Sequence, residues 1–246
     1  MGDTLRLGRW QEALAGVECD ALICDPPYGR RVHEGDRSKC GKGDSYRRVL
    51  DYRHFDPEDV AELVASWATR VRGWMVCMTS HDLIGAYEDA YADAGWLAFA
   101  PVPWVEPGKS VRLSGDGPAS WTCYLMVARR RTAAAARWGA LPGAYVIRSE
   151  NRHGAAGAVG RYGGKPLALM EALVRDYSRP GDLVCDPCAG YGTTLAAALR
   201  QGRQAVGAEM DPETHARGLE YLDRNGRARD LFEAVEQVTA AQELPW

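Results

Sequence analysis

Residues 182–209, DLVCDPCAGYGTTLAAALRQGRQAVGAE, hold a strand, a glycine loop, a helix and a second strand in immediate succession. Pro180-Gly181 turns the chain into a short apolar run that ends at Asp186, and this reads as a buried strand over 182–186. Gly190 and Gly192 punctuate the loop, Thr193–Arg200 has helical spacing, Gly202 stops it, and Gln204–Glu209 reads as the next strand. Strand and helix in alternation predict an α/β fold with a mainly parallel sheet covered on both faces. Glycines just past a strand end let a ligand approach the backbone, and the helix start beyond them presents free N–H groups. Glu209 ends the following strand, 23 residues after Asp186, where a carboxylate can accept from ribose hydroxyls. The segment therefore points to a cofactor with a nucleoside, against the plainer reading of a tight strand-to-helix turn. No Gly-Lys-Ser/Thr follows, so it is not a P-loop, and the second half of the dinucleotide fingerprint is missing.

The alternation extends outward. Val17–Asp25 ends in an apolar run and reads as a strand; a Gly-, Arg- and Lys-rich stretch without periodicity follows to about 54. Asp56-Pro57 starts a helix with Val60, Leu63, Val64, Trp67 and Val71 inward. Trp74–Thr79 reads as a strand, and Thr79 or Ser80 as the cap of a helix closed by Gly95. Trp96–Val105, broken by Pro101 and Pro103, suits a sheet edge. Trp121–Ala128 is a further strand, Lys165–Tyr177 a helix, and 212–224 and 229–242 close the chain as helices. The length and an apolar fraction of 46% fit one domain over 1–246.

At the end of the first long strand stands Asp25-Pro26-Pro27-Tyr28-Gly29. Successive prolines donate no backbone hydrogen bonds and fix φ, so acceptors are held rigidly beside the Asp25 carboxylate. Such a set suits an NH2 group. The exocyclic amine of a nucleobase is a poor nucleophile, because its lone pair is delocalised into the ring. Accepting its N–H bonds, from Asp25 and the Pro26 carbonyl, would hold the nitrogen in an attacking geometry. Tyr28 offers a flat face for stacking. A Pro-Pro turn with a core tyrosine is the bland alternative, and the cofactor loop in the same chain weighs against it.

Net charge is −3, yet residues 30–54 carry +4 and residues 129–161 carry +6. Two basic segments on an acidic body can hold a polyanion locally. The seven cysteines are odd in number and scattered; only Cys185 and Cys188 have C-x-x-C spacing, so neither a zinc site nor a disulfide framework is expected. No apolar run suits a membrane span, and MGDTLRLGRW lacks a signal peptide's apolar stretch, which predicts a cytoplasmic chain.

With both motifs in view, the sequence resembles amino-group DNA methyltransferases of the beta-type, permuted order, with the DPPY motif first and the S-adenosylmethionine loop last. GGKPLALMEALVRDYSRPGDLVCDPCAGYGTTLAAALRQGRQAVGAEMD at 163–211 carries most of the likeness. The resemblance implies a Rossmann-like methyltransferase fold, circularly permuted and doubly wound. It implies Asp25, Pro26, Pro27 and Tyr28 as catalytic, and Lys165 and Pro166 near the methionine part of the cofactor. Asp186, Pro187, Gly190, Gly192, Thr193 and Thr194 would frame the cofactor pocket, with Glu209 on its ribose. Gly2-Asp3 resembles a short element that touches the adenine, which brings in Asp3. The implied reaction moves a methyl from S-adenosyl-L-methionine to adenine N6 of a base flipped from duplex DNA, with no catalytic cysteine and no metal. Cytosine N4 is the alternative; an RNA methyltransferase or a non-catalytic nucleic-acid-binding relative follows behind. Arg30, Arg31, Arg37, Lys39, Arg47, Arg148 and Arg152 are the expected DNA contacts, split between a mobile basic loop at 30–54 and a short target-recognition segment at 131–163. That shortness, with the resemblance, raises the expectation of a homodimer. Two departures stand out: Cys188 where the family has phenylalanine, and Glu106 where it often has lysine.

Overall fold

Along each central strand, buried side chains alternate between two clusters. Cys24, Met75, Cys77, Met126 and Ala128 belong to one, and Ile23, Trp74, Val76, Leu125 and Val127 to the other. Two apolar faces demand helices on both sides. The computed structural model describes residues 3–30, 53–107, 121–131, 138–148 and 164–226. In chain order these give β1 (Leu5–Leu7), α1 (Trp10–Ala13), β2 (Cys19–Cys24), α2 (Pro57–Ala68), β3 (Val71–Thr79), α3 (Ile84–Asp93), β4 (Leu97–Ala98) and β5 (Val102–Val105). There follow β6 (Thr122–Arg129), β7 (Tyr145–Val146), α4 (Leu167–Tyr177), β8 (Leu183–Asp186), α5 (Thr193–Arg200), β9 (Gln204–Glu209) and α6 (Pro212–Asn225).

The sheet runs β1-β9-β8-β2-β3-β6-β5-β7, with β4 also on β6. The first five strands of that order are mutually parallel, and β6 opposes both β3 and β5. From β2 the chain passes through α2 to β3 on one side; from β8 it passes through α5 to β9 on the other. Val60, Leu63, Val64 and Trp67 of α2 pack into the first cluster, whereas Ala197 and Ala198 of α5 pack into the second, so the two crossovers cover opposite faces. The strand order thus reverses between β2 and β8, the place where open α/β sheets form a ligand crevice at the carboxyl ends of their strands.

Most expected elements are present, with differences that have physical causes. Helix α2 begins at Pro57 behind a capping box between Asp56 and Asp59. Val71 belongs to β3 rather than to that helix. Neither Thr79 nor Ser80 caps the next helix, because the Ser80 hydroxyl accepts the Gly29 N–H at 3.0 Å, and a 3-10 turn over His81–Leu83 leads into α3. The stretch 96–105 divides into β4 and β5, and β5 is not the edge, since β7 pairs with it. The strands β1 and β7 were not foreseen. The basic run Arg129-Arg130-Arg131 falls at the end of β6 level with Trp74, away from Asp25. Arg129 lies over the Trp74 and Phe99 rings, and Arg130 donates to the carbonyls of Ala68 and Thr69. That run serves packing and does not add to a basic patch beside Asp25. Arg31, Arg37, Lys39, Arg47 and Arg152, Gly2 and the helix expected at 229–242 lie outside the described residues.

Candidate active site at the carboxyl end of the sheet

Asp25 is the first residue beyond β2, and Asp186 the last of the neighbouring β8, so both motifs hang over the point of strand reversal. The turn after Asp25 is tied down on all sides. Phe55 N–H donates to the Tyr28 carbonyl at 3.2 Å, and Gly29 N–H to Ser80 Oγ. A Cβ at position 29 would come 2.3 Å from Asp82 Oδ2, so the Asp82 carboxylate lies directly against this turn. Cys123 Sγ donates to the Thr79 carbonyl at 3.2 Å, which leaves the sulfur to accept from the Tyr28 hydroxyl at 2.8 Å. Burial and then the Asp25 charge push the Tyr28 phenol well above its ordinary range, so it stays a neutral donor. Ser80, Asp82 and Cys123 are positioning groups that sequence reasoning missed; Thr79-Ser80-His81-Asp82 at a strand end was their only signal.

The Asp25 carboxylate has two unlike oxygens. Oδ2 pairs with the Lys165 ammonium. Oδ1 is buried and has no hydrogen-bond partner among the described residues. The same ammonium lies 4.9 Å from the centre of the Tyr28 ring.

On the other side, Gly190 and Gly192 take φ of 53° and 78°, conformations that exclude most side chains. A Cβ at Gly190 would meet nothing within 4 Å, so the loop leaves open space over its backbone. Thr193 begins α5, and Thr194 is buried with its side chain on Asp186. Asp186 also accepts the Cys188 N–H at 3.0 Å. Burial pushes its carboxyl up to about 7, against these hydrogen bonds and with help from the charges of Asp25 and Glu209. Pro187 is buried behind the loop. Glu209 accepts from Asp211 N–H at 2.7 Å and from Gly190 N–H, which ties the strand end to the glycine loop; burial raises its carboxyl too.

The charges of Asp25 and Glu209 both act on Asp186, so three acidic side chains gather at this end of the sheet. A glycine cradle with a strand-end acid supplies the rest of what a nucleoside sulfonium needs. The residues present fit such a group. Pro166 is buried as the first cap of α4 and delivers Lys165 to this end. Arg30 and Arg148 are exposed just beyond the Tyr28 turn and β7, on the same end of the sheet. Asp3 is not brought here, since it precedes β1 and the opposite end of that strand is level with Glu209. The strand delivers Gly8 instead, whose N–H donates to the Glu209 carbonyl at 2.9 Å. Among the described residues, no His, Cys, Asp and Glu group is arranged to hold a metal ion, and no helix is long and apolar enough to cross a membrane.

Residues 145–219 match the family model described as "DNA methylase", of the N6/N4 methyltransferases. The DNA adenine methyltransferase YhdJ of Escherichia coli K12 is 44% identical over 59 residues, which are 24% of this chain and 20% of that protein. The matched segment of "Putative methylase YubD" of the same organism is likewise only 28% of its length, at 36% identity over 26% of this chain. Likeness of fold is far broader. The M1.HpyAVI complex with S-adenosylmethionine aligns with a TM-score of 0.66 at 20% identity, over 89% of this chain and 98% of that one. The cytosine-N4-specific PvuII DNA methyltransferase aligns with a TM-score of 0.63 at 16% identity, over 87% and 84% of the two chains. The fold is that of these methyltransferases.

Proposed function

We propose that this chain is an S-adenosyl-L-methionine-dependent DNA methyltransferase of the permuted, DPPY-first order, acting on adenine N6 of a flipped base in duplex DNA. The observation that carries the reading is the pair of motifs at the ends of neighbouring β2 and β8, a buried Asp25 oxygen without a partner among the described residues after the one and a glycine cradle after the other. The sequence match to N6/N4 DNA methylases supports it over residues 145–219, the stretch that holds the cradle.

The cofactor supplies a methyl on a sulfonium, a carbon with a good leaving group. Asp25 Oδ1 and the Pro26 carbonyl accept the two N–H bonds of the target amine and turn its lone pair toward that carbon. Forming the N–C bond would break the methyl–sulfur bond with its electron pair left on sulfur, and would make the amine nitrogen positive. Asp25 faces that charge, accepts the surplus proton and passes it to water. Tyr28, anchored through Cys123, stacks on the extruded base. Glu209 takes the ribose, and Lys165 and Pro166 border the methionine end. Asp25, as the first residue of the motif, favours adenine over cytosine, because the cytosine-N4 members that the sequence resembles more often begin it with serine. Exposed Arg30 and Arg148 contact phosphates, and the same reading brings a cytoplasmic location and a homodimer. A chromatographic assay of methylated nucleosides from treated DNA identifies the base.

The test is single-turnover transfer of tritiated methyl to duplex DNA. Asp25→Asn keeps the shape and loses the charge, so the rate is expected to fall at least about 10²-fold, on the order of 3 kcal/mol. Cofactor affinity should change far less, because the loss belongs to the transition state. A near-normal rate would sink the mechanism.

A further inference from the structure

We propose that Lys165 is a positioning residue for Asp25, holding one carboxylate oxygen so that only the other can receive the target amine; this rests on the methyl-transfer reading above. Three observations coincide. Lys165 pairs with Oδ2 while both side chains are largely shielded, 16% and 21% exposed. Oδ1 is buried without a partner among the described residues, although buried polar atoms are nearly always satisfied. Lys165 also lies over the Tyr28 ring, close enough for a cation–π contact.

A carboxylate rotates about its last torsion with little preference, so two equivalent oxygens would compete for any donor. Pairing one with an ammonium removes the equivalence. The lysine can hold that position because its backbone is anchored: Pro166, next in the chain, is buried at the start of α4, and Leu169, Met170, Leu173 and Val174 are buried in the core behind it. The proposal gives the place beside Oδ1, which no described residue fills, to the N–H of the target amine. Tyr28 is itself packed against the second core cluster, so the ammonium over its ring lies where the target base would approach. One side chain thus touches both the acceptor carboxylate and the stacking ring.

An ammonium so near the amine also opposes the positive charge that develops there. If that repulsion were its main effect, removing the lysine would speed the reaction. The proposal requires the reverse, which makes the sign of the change informative.

The experiment uses the full chain with Lys165→Met and Lys165→Arg, alone and combined with Asp25→Asn. Cofactor affinity is read by calorimetry with S-adenosylmethionine, and the rate by single-turnover methyl transfer to duplex DNA at saturating cofactor. Lys165→Met is expected to slow transfer about 10²-fold with little change in cofactor affinity. Lys165→Arg, which keeps the ion pair and the cation over Tyr28, recovers most of the rate. In the Asp25→Asn background, Lys165→Met costs much less, because the charge that the ammonium pairs with is already gone. A faster Lys165→Met, or equal losses added in both backgrounds, overturns the proposal. So does weaker cofactor binding with a normal saturated rate, which would leave the lysine a cofactor ligand only. A wild-type chain that transfers no methyl overturns the functional reading as well, a result distinct from an active wild type with an unaffected variant. Urea unfolding midpoints close to wild type exclude misfolding as the cause of any loss.

Discussion

Asp186 shows how one buried side chain couples fold and site. Its carboxyl is pushed up to about 7, chiefly by burial, from an unfolded value near 3.8. A group whose folded value is raised lends stability that is complete below its unfolded value and is lost as pH rises through the folded one. The cofactor-free chain should therefore become easier to unfold between about pH 4 and pH 7. Asp186→Asn mimics the neutral acid and keeps an acceptor for Cys188 N–H, so it should flatten that slope; urea midpoints at several pH values decide it. An unchanged slope would mean that Asp186 is ionised in the native chain throughout. At this scale the sequence disclosed the residues whose chemistry is intrinsic: Asp25 beside two prolines, and Asp186 before two glycines. It did not disclose Ser80, Asp82 or Cys123, because each acts through a neighbour more than 40 positions distant along the chain. It also misplaced Asp3, where a two-residue motif outweighed the register of β1.

Elements with a strong period were legible, and those held by tertiary pairing were not. Helix α2 carries its own cap and its apolar stripe, so local sequence suffices to mark it. The two-residue strand β7 has no periodicity to show and exists because β5 offers it an edge. Ser80 read as a helix cap, yet Gly29 claims its hydroxyl. The close fit of β9 under the glycine loop is likewise a tertiary matter. A Cβ on Gly207 would come within 2.8 Å of the Asp186 carbonyl and 2.9 Å of Ala189 Cβ. Backbone and a short side chain cannot yield as a long one can. Gly207→Ala is thus expected to cost about 1–3 kcal/mol, with a lower urea midpoint at unchanged slope, and to weaken cofactor binding as the loop is pushed outward. Wild-type stability in this variant would mean that β9 sits further from the loop than described.

At the scale of the whole molecule, the sheet has a working end and an opposite end. Asp25, Asp186 and Glu209 gather at the first, and four of the large exposed apolar side chains, Leu7, Trp121, Val146 and Met210, belong there too. Exposed apolar groups beside a charged crevice suit a surface that meets a ligand. The sequence showed two basic segments but could not say which arginines share an end, since that depends on the antiparallel run of β6. Its course carries Arg131, exposed, to the end away from Asp25, while Arg30 and Arg148 are exposed at the working end. If duplex DNA lies across the working end, its phosphates meet Arg30 and Arg148 and not Arg131. Each phosphate contact contributes about 0.9 to the slope of log affinity against log salt. Arg30→Ala and Arg148→Ala should each flatten that slope by about 1 and weaken binding to any sequence equally. Arg131→Ala should leave it unchanged, although the three residues carry the same charge. Fluorescence anisotropy of a labelled duplex, titrated at several salt concentrations, measures all three. If Arg131→Ala flattens the slope as much as the others do, DNA is held by net charge in general and the working end has no privileged hold on it.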